Sequence, residues 1–305
     1  MVATGTITSA ELAADVLAPS RRQAALMPEL ITQARSIAGS VINGWHGRRK
    51  RGTGDNFWQF RPYMQGDMLS RIDWRRSARD DHTYMRDREW ETAHTIWLWC
   101  DPSASMLYQS RFASVSKQQR ALVLTLALAE LFSRSGERIA YPQVLQPLLA
   151  RNGAERLATA LMQQNTLAPQ PDLRPVQRFN ELVLISDFLQ PADVLTAQFD
   201  QIAKRSIRAH LIAIADPAEE SFPFSGRTEF RDPVSGAVLT AGRAQNYAEE
   251  YRRLYHAQRA FLRETCTRLG WSFIINHTDK PAAQALTTLH GYLTAGTQPS
   301  SGGRV

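Results

Sequence analysis

The residues with the clearest chemical potential follow an apolar run at positions 97–106, which read WLWCDPSASM. Asp101, Ser103 and Ser105 stand at alternate positions directly after that run. Because alternate residues of an extended segment face the same way, one carboxylate and two hydroxyls can converge there on a single point. Such oxygens are hard ligands, which suit Mg²⁺, Mn²⁺ or Ca²⁺ and suit zinc poorly. The pattern therefore predicts a divalent-cation site.

A second acidic residue ends another apolar run in the same style, within the stretch LVLISDF. This residue is Asp187. The carboxyl ends of parallel strands meet at one edge of a sheet, where ligands bind in open α/β folds. We therefore expect Asp187 to join the three residues above in one site. The alternative is that Asp101 and Ser103 merely cap the following turn or helix, as these residue types often do.

Strands and helices take turns along most of the chain and predict the fold class. Apolar runs such as ELVLISDF and RAHLIAIAD alternate with helical patterns, and Ser116 with Gln119 forms a capping box before the apolar helix ALVLTLALAELFSR. Strands that are apolar on both faces are typical of a mostly parallel sheet covered by helices on both sides. The stretches HTYMRDREWE and HTIWLWC are expected to pair as a β-hairpin.

Composition shifts divide the chain into four segments. Residues 1–43 are predicted to be helical, with Pro28 kinking or dividing the helix. A basic arm rich in Gly, Arg and Trp follows at 44–81, and the α/β domain is expected at 82–295. The last segment, 296–305, is rich in Gly and Ser and is predicted to be disordered.

Overall composition narrows the class of protein. The chain has 305 residues, a net charge of +7 and two cysteines, Cys100 and Cys266, which stand far apart in sequence. Two distant cysteines give neither a disulfide framework nor a metal-ligand spacing, so we expect a cytoplasmic protein. No apolar run reaches the roughly 18 residues that a membrane span requires. The sequence therefore predicts no transmembrane segment.

Two stretches together resemble a known bacterial family. The run GRRKRGTGDNFWQFRPYMQGDMLSRIDWRRSAR at 47–79, followed by CDPSASM, is similar to the family called domain of unknown function fifty-eight. The resemblance implies a von Willebrand factor A-like, Rossmann-like domain. It also implies a metal-ion-dependent adhesion site at Asp101, Ser103 and Ser105, with Asp187 at the distal position. As partners it implies a MoxR-type AAA+ ATPase and an unknown client protein, in chaperone-like maturation.

One departure from the von Willebrand factor A pattern concerns a further ligand. Such domains usually supply a threonine from the loop after the third strand. The matching stretch here reads LLARNGAERL, which has no threonine, and Asn152 is its nearest polar candidate. Water can replace a missing ligand at a cost in affinity. The resemblance therefore implies a metal site that lacks one of its usual protein ligands.

The sequence favours a non-enzymatic interaction protein and leaves two alternatives. The first is electrostatic binding of nucleic acid or anionic membrane through Arg48, Arg49, Lys50 and Arg51. Acidic and basic residues interleave along much of the arm, which argues against nucleic acid. The second is a metal-dependent hydrolase at the same strand edge. Neither serine stands in a motif with an activating His or Lys, so we expect no enzyme.

Overall fold

A computed structural model of the protein describes residues 18–45, 59–63, 74–79, 83–87, 95–164, 166–233 and 235–295. Contacts divide the chain into two compact units. One unit comprises residues 1–43 and 94–305, and the other comprises residues 44–93. The predicted tail at 296–305 and the four basic residues at 48–51 lie outside the described residues.

The larger unit is built on a six-stranded sheet. With the strands numbered along the whole chain, their order across the sheet is β10-β7-β6-β3-β4-β5. Every neighbouring pair is parallel except β4 with β5, which is antiparallel. The strands are β3 Thr95–Cys100, β4 Arg138–Tyr141, β5 Leu145–Leu148, β6 Glu181–Ser186, β7 Arg208–Ala215 and β10 Ser272–His277. The prediction of an α/β fold with a mostly parallel, Rossmann-like sheet is confirmed.

Helices flank this sheet on both faces. The described α-helices of the larger unit are α1 Ala18–Trp45, α3 Lys117–Arg134, α4 Gly153–Met162, α5 Ala192–Lys204, α6 Pro217–Ser221, α7 Ala248–Leu269 and α8 Ala283–Ala295. Helix α3 packs on the central strands and contacts α4 and α8, whereas α5 contacts α7. The central strands are apolar because both of their faces are covered: Trp97 and Leu98, neighbours on opposite faces of β3, are both buried.

The predicted division of the helix at Pro28 does not occur, since α1 continues through that residue. Pro28 lies on an exposed side of the helix. The predicted capping box at Ser116 and Gln119 is present and starts α3.

The described residues of the smaller unit form a two-stranded antiparallel sheet and one helical turn. Strand β1, Gln59–Pro62, pairs with β2, Tyr84–Asp87, and α2 is Trp74–Ser77. The predicted hairpin is therefore wrong, because the segment around β2 does not pair with β3. Both edges of β3 are occupied by β4 and β6, so it has no free edge to offer.

A second small antiparallel sheet lies between α6 and α7. Its strands are β8 Thr228–Arg231 and β9 Val238–Ala241. Phe222 packs its ring against Phe224, Phe230 and Tyr251, which ties this hairpin to the start of α7. The hairpin therefore has a small apolar cluster of its own.

Candidate functional site

Asp101 lies at the carboxyl edge of the sheet and is 1% exposed. Its backbone N–H still donates to the Ile185 carbonyl at 2.8 Å, so the residue is held in the ladder between β3 and β6. Its side-chain Oδ1 accepts from the Ser103 N–H at 2.8 Å, and its Oδ2 accepts from the Ser186 hydroxyl at 2.5 Å. Each carboxylate oxygen thus accepts at least one hydrogen bond, and the pair keeps lone-pair capacity for a further partner.

Both predicted serines lie beside this carboxylate. Their Oγ atoms are 3.0 Å apart, and the Ser103 hydroxyl also bonds to Asp101. Ser105 belongs to a single 3₁₀ turn, Ala104–Leu107, which folds the loop back after the strand. Both serines are half-buried, whereas the carboxylate beneath them is closed off from solvent. The structure therefore brings these three predicted residues together.

The donor set of this cluster fits a small hard cation. Adjacent ligands of an octahedron with metal–oxygen bonds of 2.1 Å are roughly 3.0 Å apart. The Ser103 and Ser105 hydroxyls are hydrogen-bonded to each other at 3.0 Å, a separation that two such ligands could also take. Among the described residues no group of three or more His, Cys, Asp or Glu side chains could hold a metal ion. The candidate is therefore an oxygen site with one carboxylate and two hydroxyls, open to water or to a ligand from another molecule.

Asp187 lies at the same edge but has a different bonding pattern. It follows β6 directly and is 2% exposed. Its Oδ2 accepts from the Lys117 ammonium at 2.8 Å, and its Oδ1 accepts from the Leu189 N–H at 3.2 Å. The negative charge of Asp187 acts on Asp101, so the two carboxylates are neighbours. The predicted fourth ligand therefore lies next to the cluster while its carboxylate bonds a lysine.

Lys117 is a buried cation at the carboxyl edge. It is 1% exposed, and its ammonium donates to Glu219 Oε1 at 2.5 Å as well as to Asp187. The ring of Tyr108 lies 5.8 Å from the ammonium nitrogen. Burial opposes the charged form, but the two carboxylates outweigh it and raise the pKa of Lys117. The residue is therefore a protonated ammonium at neutral pH.

The elements around this ion pair hold each member in place. Lys117 is the first residue of α3, whose start is fixed by the Ser116 capping box. Glu219 lies in α6, where it forms a second capping box with Asp216. Arg259 of α7 donates through Nη1 to the Asp187 carbonyl at 3.1 Å. Three helices and a strand end therefore meet at one buried set of charges.

Asp101 differs from its neighbour Asp187 in the groups that bond its carboxylate. Among the described residues it forms no ion pair, and its contacts are the N–H and hydroxyl donors given above. Burial, with a smaller contribution from the charge of Asp187, raises the pKa of Asp101. Buried charges in proteins are normally paired or bound to a metal. A carboxylate in this position would gain from a cation.

Asn152, the proposed substitute for the missing threonine, lies elsewhere. Strand β5 runs antiparallel to β4, with Leu148 opposite Ile139 near the beginning of β4. The loop after β5 therefore starts at the amino edge of the sheet, and Asn152 precedes α4 there, exposed and without a side-chain capping bond. Asn152 therefore does not lie at the edge that carries Asp101, because the antiparallel strand β5 follows β4 and returns the chain to the amino edge.

Sequence reasoning missed three side chains of this region: Lys117, Ser186 and Glu219. Ser186 immediately precedes Asp187 and could have been found from its position, since the ends of two neighbouring strands face each other. Glu219 carries a detectable signal as well, because Asp216, Pro217 and Glu219 match a helix start with a capping box. Lys117 gives no comparable signal, since the capping box beside it predicts where α3 starts and not where the side chain points.

The fold and the site together define an α/β protein with a Rossmann-like sheet and an oxygen cluster at its carboxyl edge. Residues 59–261 match the model of the family described as protein of unknown function DUF58, and the chain belongs to that family, as the sequence predicted. The uncharacterized protein Rv1480 of Mycobacterium tuberculosis is 29% identical over 278 residues, which cover 84% of this chain and 85% of the relative.

Two solved structures are also similar to the chain. The conserved hypothetical protein BatB of Bacteroides thetaiotaomicron is 13% identical with a TM-score of 0.39, covering 66% of this chain and 100% of its own. An aerotolerance-related membrane protein of Bacteroides fragilis is 13% identical with a TM-score of 0.38, covering 67% of this chain and 100% of its own.

The predicted cytoplasmic location is contradicted by these comparisons and is withdrawn. The finding against it is that a structurally similar protein is described as a membrane protein. In the described parts of the chain, no helix combines the length and the apolar character needed to cross a membrane. The two cysteines on which the location was predicted are both free and buried, and their reduced state alone does not assign a compartment.

Proposed function

We propose that the protein is a non-enzymatic interaction module that binds a divalent cation, Mg²⁺ in the first instance, at Asp101, Ser103 and Ser105. One observation carries the proposal: Asp101 is a buried carboxylate with no ion-pair partner among the described residues, and two hydroxyls lie beside it. Mn²⁺ and Ca²⁺ are alternatives that the same oxygen ligands would accept.

When bound, the cation would supply positive charge and open coordination positions for an oxygen ligand from another molecule. The side chains of this protein would set how that ligand is received. Asp101 would provide the single direct negative charge, held in orientation by the Ser103 N–H and the Ser186 hydroxyl. Ser103 and Ser105 are neutral and half-buried, so they leave the site short of negative charge and reachable from outside.

A carboxylate on a partner protein is the ligand that best completes such a site. It brings the missing negative charge and is itself a hard oxygen donor. The family resemblance supports a MoxR-type AAA+ ATPase as the binding partner and a client protein whose maturation the pair assists. In this proposal the ATPase hydrolyses the nucleotide, and the module described here selects what the ATPase acts on.

The test measures metal binding before it measures partner binding. Thermal unfolding of the wild type in chelator and in millimolar Mg²⁺ should differ by a few degrees, because a ligand that binds only the folded state stabilises it. Asp101→Ala should abolish that difference. The matched control is Asp200→Ala, at an exposed aspartate of α5, which should keep it.

The second arm uses a purified MoxR-type ATPase in a pull-down. Retention should require Mg²⁺ and should be lost in chelator and with Asp101→Ala. If the wild type shows neither a Mg²⁺-dependent melting shift nor chelator-sensitive retention, the proposal is wrong. Binding that ignores Mg²⁺ but falls steeply with salt would favour the basic arm instead. Turnover by the purified protein alone would favour a hydrolase.

A further inference from the structure

We infer that Lys117 is a positioning residue that serves as an internal cation, holding Asp187 out of the coordination shell of any metal bound at Asp101. The inference starts from the two bonds of the Lys117 ammonium, at 2.8 Å to Asp187 and 2.5 Å to Glu219. Its side chain is 1% exposed and that of Asp187 is 3% exposed. A divalent ion could reach Asp187 only by displacing a buried ammonium.

The Asp187 carboxylate has little remaining freedom to turn toward Asp101. Its Oδ2 bonds the ammonium, and its Oδ1 accepts the Leu189 N–H. On the other side, Arg259 donates to the carbonyl of the same residue. Both the side chain and the backbone of Asp187 are therefore held by groups that carry positive charge or donate hydrogen bonds.

The ammonium is held in place as firmly as the carboxylate. The backbone N–H of Lys117 donates to the Tyr108 carbonyl at 3.1 Å, and the capping box at Ser116 fixes where α3 begins. The lysine side chain extends from this fixed point into a space closed by Glu219. The ammonium is therefore buried, with both of its ion-pair partners supplied by the protein.

This arrangement divides the carboxyl edge into two kinds of cation position. At Asp101 none of the described residues supplies a cation, and at Asp187 Lys117 supplies one. Removal of the Lys117 charge would release Asp187, which neighbours Asp101, from its ion pair, so that both carboxylates could face one ion. Such a cluster should bind a divalent ion more tightly than the wild type does, because each added carboxylate raises the negative charge of the site.

The experiment compares Lys117→Met with the double variant Lys117→Met/Asp187→Asn. Methionine keeps the length of the side chain and removes its charge. In chelator, Lys117→Met should lower the melting temperature by roughly 5–10 °C, because it leaves buried carboxylates without their partner. Millimolar Mg²⁺ or Mn²⁺ should restore at least half of that loss. The double variant should show no such restoration, and Lys204→Met, at an exposed lysine, should resemble the wild type.

The experiment tests the role of Lys117 whether or not the wild type binds metal. If the wild type ignores Mg²⁺ but Lys117→Met responds to it, the proposed function fails and the inference holds. If Lys117→Met responds no more than the wild type, or if the double variant responds equally, the inference is overturned. A purely structural role of Lys117 would give the loss in melting temperature without the metal-specific recovery.

A measurement on the wild type covers the case in which Lys117→Met does not fold. Amine-reactive labelling read by mass spectrometry should modify the exposed Lys204 and Lys280 and leave Lys117 at least tenfold less modified. Saturating Mg²⁺ should not change that protection, since the ion binds beside the lysine and does not displace it. Labelling of Lys117 that equals the exposed lysines, or that rises on adding Mg²⁺, would overturn the inference.

Discussion

The ends of strands β3 and β6 carry the same residue at the same edge of one sheet, yet the two positions differ in what neutralises them. Asp101 is 1% exposed and Asp187 is 2% exposed, so burial alone does not distinguish them. Asp187 bonds the ammonium of Lys117, whereas Asp101 bonds an N–H and two hydroxyls. Among the described residues, Asp187 is bonded by a charged group, and Asp101 only by hydrogen-bond donors without charge.

By this difference Asp187 is assigned a structural role, whereas Asp101 is a candidate ligand for a cation. A buried ion pair is self-contained, and breaking it costs stability because it leaves a charge without a partner. A buried carboxylate that has only hydrogen-bond donors remains costly in its charged form and gains from an outside cation. In this protein the second kind lies beneath two half-buried hydroxyls that are reachable from solvent.

Among the substitutions that test this difference between Asp101 and Asp187, the one at Asp187 is expected to change stability the most. Asp187→Ala should lower the free energy of unfolding by about 2–3 kcal/mol, since it leaves Lys117 buried with Glu219 as its remaining partner. Urea denaturation followed by fluorescence measures the change. Glu250→Gln, which breaks an ion pair with Arg253 on the surface, is the control and should leave the midpoint unchanged. Equal midpoints for both variants would contradict the assignment of Asp187 as a structural acid.

A smaller effect, of opposite sign, is expected at Asp101. Burial raises the pKa of Asp101, so the folded protein holds this proton more tightly than the unfolded chain does. The stability that this proton provides is present below the ordinary pKa of about 3.9 and is lost as pH rises through the raised value. Asp101→Asn mimics the protonated form and avoids that loss. In chelator at pH 7 the variant should therefore melt a few degrees above the wild type.

The pH series makes this expectation specific. The advantage of Asp101→Asn should shrink as pH falls toward 4, where the wild-type carboxyl also becomes protonated. Adding Mg²⁺ at pH 7 should raise the melting temperature of the wild type and not of the variant. If Asp101→Asn is less stable than the wild type at pH 7 in chelator, then Asp101 is already satisfied within the protein and resembles Asp187.

The sequence predicted the sheet and its carboxyl edge because both depend on local pattern. Apolar runs bounded by turns identified the parallel strands, and the rule that their carboxyl ends meet placed Asp101 and Asp187 together. The spacing of Ser103 and Ser105 then sufficed to predict the cluster. Each of these inferences needs only residues near one another in sequence and the regular geometry of strands.

The parts that the sequence did not predict depend on contacts between distant elements. Lys117 meets Asp187 and Glu219 across separations of 70 and 102 residues, and no local pattern reports where such a side chain ends. The sequence pattern did not predict the direction of β5 either. A four-residue strand carries too little pattern to show that it reverses, and that reversal moves Asn152 to the other edge of the sheet.

Asn152 provides the smallest expected effect and the most direct test of this reversal. Its side chain is exposed and makes no capping bond to α4, so Asn152→Ala should change the free energy of unfolding by less than about 0.5 kcal/mol. It should leave any Mg²⁺-dependent melting shift as large as in the wild type, because the residue lies at the amino edge, away from Asp101. Calorimetric titration with Mg²⁺ checks this more finely than melting does. A loss of Mg²⁺ affinity in Asn152→Ala would mean that a residue at the amino edge of the sheet contributes to the site at Asp101. The placement of Asn152 away from that site would then be wrong.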